Sequence, residues 1–328
     1  LYGPVTITVR GGNSSGDGSY GTSSAFTLRA ASLPTGATYY FSTATPAQGV
    51  WRHNWSAPFG STAAAYATAQ TAATGSRCVG CHAVSADGKR LYITNTTTGS
   101  VKILNADVTD PGLGTIIATI PIQNSTAVTV APDGKHIYVA ATSTTMPDYP
   151  GRTATYIATI DVDEGSGTYG AIVGTQVFAF DYIVTAMTQS ADGTRLYATG
   201  YRRIGIPSLS NQSILTTTPT NGQVFTISAA NTGPVTTAAL TATGHDTTSY
   251  PASITVANNG TVWVTDQFTQ TVTTLSATGV IVGTTTLPGN GGATTVLTGL
   301  DDNVYAISPN ISSSIFTLPA PGTYYQSG

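Results

Sequence analysis

Cys78-Val79-Gly80-Cys81-His82 is the stretch whose residue types and spacing indicate a specific chemistry. Two thiols at this spacing can each form a thioether with a haem vinyl group, and the imidazole that follows can bind the iron. The motif therefore predicts one covalently bound haem c. Cys78 and Cys81 would anchor it, and His82 would be the proximal iron ligand. These five residues are called the haem box below.

Two other interpretations of the haem box stay open. Cys78 and Cys81 could form a short disulfide, with His82 an ordinary polar residue at the start of a strand, or they could be a redox-active dithiol. Both cysteines of the chain lie in the box. No other disulfide therefore competes with it, and a four-cysteine zinc site is excluded.

A haem iron bound by one histidine has an opposite position that is open or is filled by a second side chain. The candidates for this position are Met187, Met146 and His245. Met187 shares the register of His82 in the repeat described below, and the other two belong to loops expected at the same end of the fold. The alternative for each candidate is an ordinary core or loop residue.

Arg202 and Arg203 lie in a long loop that is expected at the same end of the fold as the haem box. Their guanidinium groups could bind haem propionates, or they could simply be solvated charges. The chain shows no Ser-His-Asp arrangement, phosphate-binding glycine loop or metal-ligand cluster. An electron-transfer or structural role is therefore favoured over an enzymatic one.

The composition excludes two classes of partner. Only 8% of the 328 residues are charged, and the formal net charge is −3, whereas about a quarter of the residues of an average soluble protein are charged. No basic field is available for nucleic acid or for an anionic membrane surface. No apolar run approaches the roughly 18 residues that span a bilayer, so we expect a soluble or surface-attached chain.

The sparse charge is consistent with an exported protein, extracellular, periplasmic or attached to the cell surface. The chain begins at Leu1 without a methionine, which indicates a processed or truncated start. Asn-x-Ser/Thr sequons make glycosylation a further expectation. The seven sequon asparagines are Asn13, Asn54, Asn95, Asn124, Asn211, Asn259 and Asn310.

Residues 1–36 are predicted to form a short β-hairpin and a linker. Residues 5–9 and 24–29 alternate between apolar and polar side chains, and a Gly/Ser/Asn-rich turn separates them. The pair resembles the last two strands of an immunoglobulin-like or fibronectin-like module. An isolated hairpin is barely stable in water. We therefore expect it to pack elsewhere, and self-association through this hairpin is one possible outcome.

One sequence pattern recurs through the rest of the chain. It consists of a strand, an Asp-Gly or Asn-Gly turn whose residues tolerate positive φ, and a second strand. The copies cover residues 82–93, 128–139, 187–198, 254–264 and, in a degenerate form, 297–307. The register of the copies predicts that their turns lie at one end of the fold, with the haem box at the opposite end.

Most copies continue into a third strand, such as residues 100–104, and often into a fourth, such as residues 115–120. Four antiparallel strands in a period of about 40 to 50 residues are typical of a β-propeller blade. Residues 39–53 supply two strands of a more divergent first blade, and residues 61–76 its outer part plus a loop. The prediction is an all-β fold: a β-propeller of about six four-stranded blades over residues 37–328, preceded by a short Ig-like β-hairpin.

The segments 36–43 and 77–90 carry a family resemblance. The sequence resembles exported bacterial WD40-like β-propeller proteins with Asp-Gly turns, in which a c-type haem box begins one blade. The resemblance is close from residue 36 to about residue 107 and covers the rest only as generic blades. It implies the propeller fold and export, but no particular activity.

Three functions follow as hypotheses. The first is an exported monohaem c-type cytochrome-like propeller that transfers electrons to an unidentified redox partner. The second is a non-catalytic, glycosylated surface or filament subunit that assembles through its N-terminal strands, with Cys78 and Cys81 as a disulfide. The third is a propeller that binds carbohydrate or peptide on its loop face.

Overall fold

The structure is a computed structural model, and it describes residues 37–42, 49–54, 64–68, 79–95, 100–107, 109–145, 152–202, 220–230, 234–240, 249–287, 295–298, 303–308, 314–318 and 325–327. All the regular secondary structure within these ranges is β-strand, so the all-β prediction is confirmed. The hairpin predicted for residues 1–36 lies outside the described residues. Among the described residues, no helix has the length and hydropathy needed to cross a membrane.

Within the described ranges, the strands form one three-stranded sheet and five four-stranded sheets, each in sequence order. The first sheet contains β1 (Ala37–Ser42), β2 (Gly49–Asn54) and β3 (Ala64–Thr68). The second contains β4 (Val79–Val84), β5 (Arg90–Asn95), β6 (Ser100–Asn105) and β7 (Ile116–Ile120). The third contains β8 (Ser125–Val130), β9 (His136–Ser143), β10 (Ala154–Asp161) and β11 (Ile172–Phe180).

The fourth sheet contains β12 (Tyr182–Gln189), β13 (Arg195–Arg202), β14 (Thr220–Ser228) and β15 (Thr236–Ala239). The fifth contains β16 (Pro251–Val256), β17 (Val262–Asp266), β18 (Thr271–Leu275) and β19 (Ile281–Thr286). The sixth contains β20 (Thr295–Thr298), β21 (Val304–Ser308), β22 (Ser314–Leu318) and β23 (Tyr325–Ser327). Six sheets match the predicted number of blades, and β3 confirms the strand expected within residues 61–76.

The chain divides into two compact units. Residues 1–39 and 52–64 form the smaller unit, of which the structure describes residues 37–39, 52–54 and 64. Residues 40–51 and 65–328 form the larger unit, which contains the five four-stranded sheets. The first strand of each of these sheets packs beside the first strand of the next, in the order β4, β8, β12, β16, β20. This is the arrangement of blades in a β-propeller.

Apolar cores fill the spaces between successive sheets. Val101 and Ile103 of the second sheet pack against Val128 of β8. In the next core, Ala127 of β8 packs with Met187. Neighbouring residues on a strand point to opposite faces, so each first strand contributes to two cores. Large aliphatic and aromatic residues dominate these cores, and their burial is the main source of stability.

Hydroxyl groups also connect neighbouring sheets. Thr155 of β10 donates a hydrogen bond to the Tyr182 carbonyl oxygen of β12 at 2.8 Å, and Thr185 of β12 donates one to the Pro251 carbonyl oxygen of β16. Ser253 Oγ of β16 accepts from the Val296 amide of β20 at 3.2 Å. These bonds satisfy polar groups on strands that lie between apolar cores.

The Asp-Gly turns close the first hairpin of the second, third and fourth sheets. In the second sheet, the Gly88 amide donates to the Ser85 carbonyl oxygen at 2.9 Å, and Gly88 has a φ of 72°. Asp87 Oδ1 accepts from Ser85 Oγ and from the Lys89 amide. A positive φ costs glycine least, which is why the turn places glycine there. The end of the sheets that carries these turns is called the turn end below.

Several contacts show that the turns share one end. Pro132 of the third-sheet turn is 3.5 Å from the Cβ position that a side chain at Gly193 would occupy in the fourth-sheet turn. Arg195 Nη1 donates to the Ala277 carbonyl oxygen of the fifth sheet at 3.1 Å. The haem box begins β4, whose last residue precedes the Ser85 turn. The box therefore lies at the opposite end, called the box end below, as the register predicts.

Asp161 organises the loop between β10 and β11 at the turn end. Its carboxylate accepts hydrogen bonds from the hydroxyl groups of Ser166 and Thr168 and from the Asp163 amide. These bonds, with that from Ser166 first, lower the pKa of Asp161 to about 2. The carboxylate is therefore needed in its charged form for the loop to keep these bonds.

Because its folded-state pKa is depressed, Asp161 stabilises the protein fully above its unfolded pKa of about 3.9 and loses this contribution as the pH falls toward 2. We expect Asp161→Asn to be less stable than the natural chain at pH 6 and to show a smaller further loss of stability between pH 4 and pH 2. Urea unfolding midpoints across this pH range measure the difference. Equal pH dependence in the two proteins would contradict the assignment.

Candidate functional site

The structure describes Val79 to His82 of the haem box, and Cys78 lies outside the described residues. Cys81 and His82 are adjacent on β4, at the box end, and both are partly buried. The Nδ1 atom of His82 is buried. A cysteine and a histidine are therefore consecutive residues on the innermost strand of a blade.

A β-bulge interrupts the pairing of β4 with β5 at the box. Val79 pairs with Asn95 and His82 with Ile93, so β4 has one more residue than β5 between these two pairs. β8, β12 and β16 have a bulge at the same position, for example between Val184 and Ala186. Bulges often redirect side chains near functional sites. Here the bulge is shared by four blades, so it belongs to the fold and does not mark the box.

The bulges align Cys81 with Ala127 and Ala186, and His82 with Val128 and Met187. Thr94 donates to the Cys81 carbonyl oxygen at 3.4 Å, and the equivalent Thr199 donates to the Ala186 carbonyl oxygen at 3.3 Å, which supports the alignment.

In the third sheet, Ala127 packs toward the following sheet and Val128 toward the preceding sheet. By equivalence, Cys81 and His82 leave β4 on opposite faces.

This geometry sets a condition for haem binding. Haem c is attached through cysteine thiols and its iron is bound by an imidazole, so the side chains of Cys81 and His82 are of the types that haem c requires. Because their side chains point to opposite faces, Cys81 and His82 can contact the same porphyrin only if the first residues of β4 no longer pair with β5. Among the described residues, this ladder holds β4 beyond the bulge through a single pair, Val79 with Asn95.

Tyr250 is an aromatic residue that lies near Cys81 of the box. It is partly buried and lies directly before β16, at the box end. Burial and, second, the nearby Cys81 thiol raise the pKa of Tyr250 above its ordinary value. Its ring lies 5.3 Å from that of Tyr201 and 6.0 Å from that of Phe268, measured between centroids. An aromatic cluster of Tyr201, Tyr250 and Phe268 therefore lies at the same end as Cys81.

Asp266 holds this aromatic cluster in place. Asp266 is 3% exposed, and its Oδ1 accepts from the amides of Tyr250, Phe268 and Thr269 at 3.3, 3.0 and 2.9 Å. Its Oδ2 accepts from the buried Ser249 hydroxyl. One carboxylate thus joins the segment before β16 to the turn after β17, and it fixes the backbone of two of the three rings.

Of the other predicted site residues, the structure describes Met187 and Arg202. Met187 packs in the core between the third and fourth sheets, among Ala127, Leu196 and Phe225. Arg202 is exposed at the box end, where β13 ends. Met146, His245 and Arg203 lie outside the described residues. The roles of these five residues in haem binding stay predictions.

The structure describes four of the predicted glycosylation sites. Asn54 ends β2 and Asn95 ends β5. Asn124 has a φ of 52° and donates from Nδ2 to the Thr142 carbonyl oxygen at 3.4 Å, so its amide has a structural role. Asn259 is exposed in the turn before β17, with Oδ1 accepting from the Thr261 amide. Asn13, Asn211 and Asn310 lie outside the described residues.

Sequence reasoning did not identify Tyr250, Tyr201 or Phe268. One signal was available for Tyr250. It directly precedes the first strand of the fifth sheet, whereas the box begins the first strand of the second sheet, and the repeat places both segments at one end. For Tyr201 and Phe268 the sequence holds no such signal, because their approach to Tyr250 depends on the packing of two blades.

The comparison with solved structures agrees with the fold. The periplasmic gluconolactonase PpgL of Pseudomonas aeruginosa is 14% identical, with a TM-score of 0.54 over 77% of this chain and 70% of that chain. A chain of a nidogen/laminin complex is 13% identical, with a TM-score of 0.52 over 89% of this chain and 94% of that chain.

The β-propeller domain of Cps50 (Swd1) from Myceliophteria thermophila is 11% identical, with a TM-score of 0.50 over 74% of this chain and 66% of that domain. No protein-family model matches the sequence, and no curated protein matches it. At these identities the likeness shows the fold alone. The protein is a β-propeller.

Proposed function

We propose that this protein is an exported β-propeller that carries one covalent haem c on its second blade and transfers electrons. The observation that carries the proposal is the position of Cys81 and His82, adjacent and partly buried at the box end of the innermost strand. Cys78 and Cys81 would anchor the haem, and His82 would bind the iron. The haem would supply one-electron redox chemistry.

The chain's own residues would have distinct roles at this site. Tyr250 would shield the Cys81 side from water, since it is itself partly buried and lies near Cys81. Asp266 would keep Tyr250 in position through the Tyr250 amide. Arg202 is exposed at the same end and could pair with propionates. Shielding from water is one of the properties that set the potential of a haem.

The test is a pyridine haemochrome spectrum of protein matured in a bacterial host that attaches haem c. We expect a spectrum of thioether-bound haem, and we expect Cys81→Ala to shift its band to longer wavelength because one vinyl group stays unreacted. Ala191→Ser, in an exposed turn at the opposite end of the sheets, is the control and should leave the band where it is. Protein that carries no covalent haem would overturn the proposal.

The intact mass distinguishes the remaining interpretations of the box, because a bound haem adds its own mass whereas a disulfide removes two hydrogens. A second readout tests the condition set by the strand geometry. Amides of residues 93–95, which face the start of β4, should exchange faster in the haem-bound protein than in the haem-free protein. Unchanged exchange would mean that β4 stays paired and that His82 does not reach the iron.

A second candidate function is a surface or filament subunit that assembles without catalysis. The observation that favours it concerns the last strand of each four-stranded sheet, which forms the edge of that sheet. β7, β11, β15, β19 and β23 contain no charged residue. Exposed edge strands are commonly protected from other chains by charged side chains. Edges without this protection are suited to contact with a neighbouring chain.

A further inference from the structure

Three outermost strands begin in the same way. In each, a glycine with positive φ ends the preceding turn and an isoleucine follows two positions later. The glycines are Gly114, Gly170 and Gly279, with φ of 83°, 79° and 82°. The isoleucines are Ile116, Ile172 and Ile281, each followed by isoleucine or valine. The repeat unit therefore places two adjacent β-branched apolar residues at the start of an edge strand.

Both members of each pair are exposed. Ile172 and Val173 are 44% and 50% exposed, and Ile281 and Val282 are 39% and 54% exposed. Adjacent residues on a strand point to opposite faces of the sheet. A partner on one face could cover only one member of each pair. A strand added at the edge would contact both members and would also bind the free backbone groups of the edge.

The fifth sheet has the most exposed of these edges. Val280, directly before β19, is 62% exposed, so three consecutive apolar residues are exposed at this edge. The rest of β19 is Gly283 to Thr286, which adds no charge. Six residues without charge or proline are long enough to pair with a short incoming strand.

Residues 5–9 have the matching properties. They read Val-Thr-Ile-Thr-Val, with apolar side chains at alternate positions and no charge or proline. They belong to the 36 residues at the start of the chain that lie outside the described residues. A five-residue segment with this pattern is typical of a strand that needs a partner.

Resting on the proposed subunit role, we infer that residues 5–9 of one copy add as a fifth strand to the edge of β19 in a second copy. Donor and acceptor are different surfaces of the same chain, so the contact is head-to-tail. Such a contact repeats into a filament unless rotation closes it into a ring. The partner is thus a second copy of this chain.

The test uses the full chain, with size-exclusion chromatography and light scattering over a range of concentrations. Val282→Lys places a charge at the exposed edge, and Ile7→Lys places one in the incoming strand. We expect each to weaken self-association about tenfold or more, because a lysine at a strand edge opposes strand addition and would replace an apolar cross-strand contact. Ala191→Lys, at an exposed turn away from any edge, is the control and should associate as the natural chain does.

Each outcome decides one point. A natural chain that stays monomeric at all concentrations overturns both the subunit role and the β19 contact. A natural chain that associates equally well with Val282→Lys overturns the β19 contact alone, and loss of association in Val173→Lys would move the contact to β11. Circular dichroism and thermal unfolding show that each variant is folded. Val282 and Val173 are exposed, so folding should be unaffected.

Discussion

Replacing Gly200 with alanine is expected to destabilise the protein by about 3 kcal/mol, because the new methyl group would collide with backbone atoms. A Cβ at this position would lie 2.6 Å from the Ile183 carbonyl oxygen and 3.3 Å from its carbon. Gly200 pairs with Val184, directly before the bulge of β12. A side chain at Gly200 would therefore require the backbones of β12 and β13 to move apart.

Urea unfolding at neutral pH measures this loss as a lower midpoint with an unchanged slope. Gly134→Ala is the matched control. Gly134 has a φ of 68°, and no atom lies within 4 Å of its Cβ position, so its substitution should cost only the backbone strain of about 1 kcal/mol. If both variants lost the same stability, a collision at Gly200 would not be the cause.

Asp266→Ala is expected to cost about 3 kcal/mol or more, because it leaves several buried donors without an acceptor. The Ser249 hydroxyl and the amides of Tyr250, Phe268 and Thr269 all depend on this carboxylate. Hydrogen bonds to a charged group contribute about 1.5 to 3 kcal/mol each, and a buried donor left unsatisfied costs a similar amount. The segment before β16 and the turn after β17 should both loosen.

Two measurements distinguish a local loss of order around Asp266 from a general loss of stability. Faster amide exchange of residues 249–250 and 268–269 should report the loss of order in Asp266→Ala. Asp266→Asn keeps an oxygen acceptor and should retain part of the stability. If the alanine variant unfolded at the same urea concentration as the natural chain, Asp266 would not hold the aromatic cluster.

The strand pattern was largely predictable because the repeat has local signals. The Asp-Gly turns mark the first hairpins of the second, third and fourth sheets, and alternating runs mark β6, β10 and β18 close to their bounds. β15 illustrates the limit. Thr236–Ala239 has no apolar alternation and is mostly exposed, so only pairing with β14 identifies it.

The candidate site was predictable in its residue types but not in its geometry. The motif gives the spacing of Cys81 and His82, whereas the direction of each side chain depends on the bulge in β4 and on the pairing with β5. Met187 shows the same limit. Its register with His82 was readable from the repeat, yet that register places it in the core between two sheets. A shared register in a repeat fold does not imply a shared environment.

The hydrogen bonds that hydroxyl groups make between sheets have a consequence for the unfolding of the protein. Thr155 of β10, Thr185 of β12 and Ser253 of β16 connect the third, fourth, fifth and sixth sheets in series. In a repeat protein whose units contact only their neighbours, such contacts between units decide whether unfolding is cooperative. These four blades should therefore melt in a single transition, and their first strands should share one rate of amide exchange.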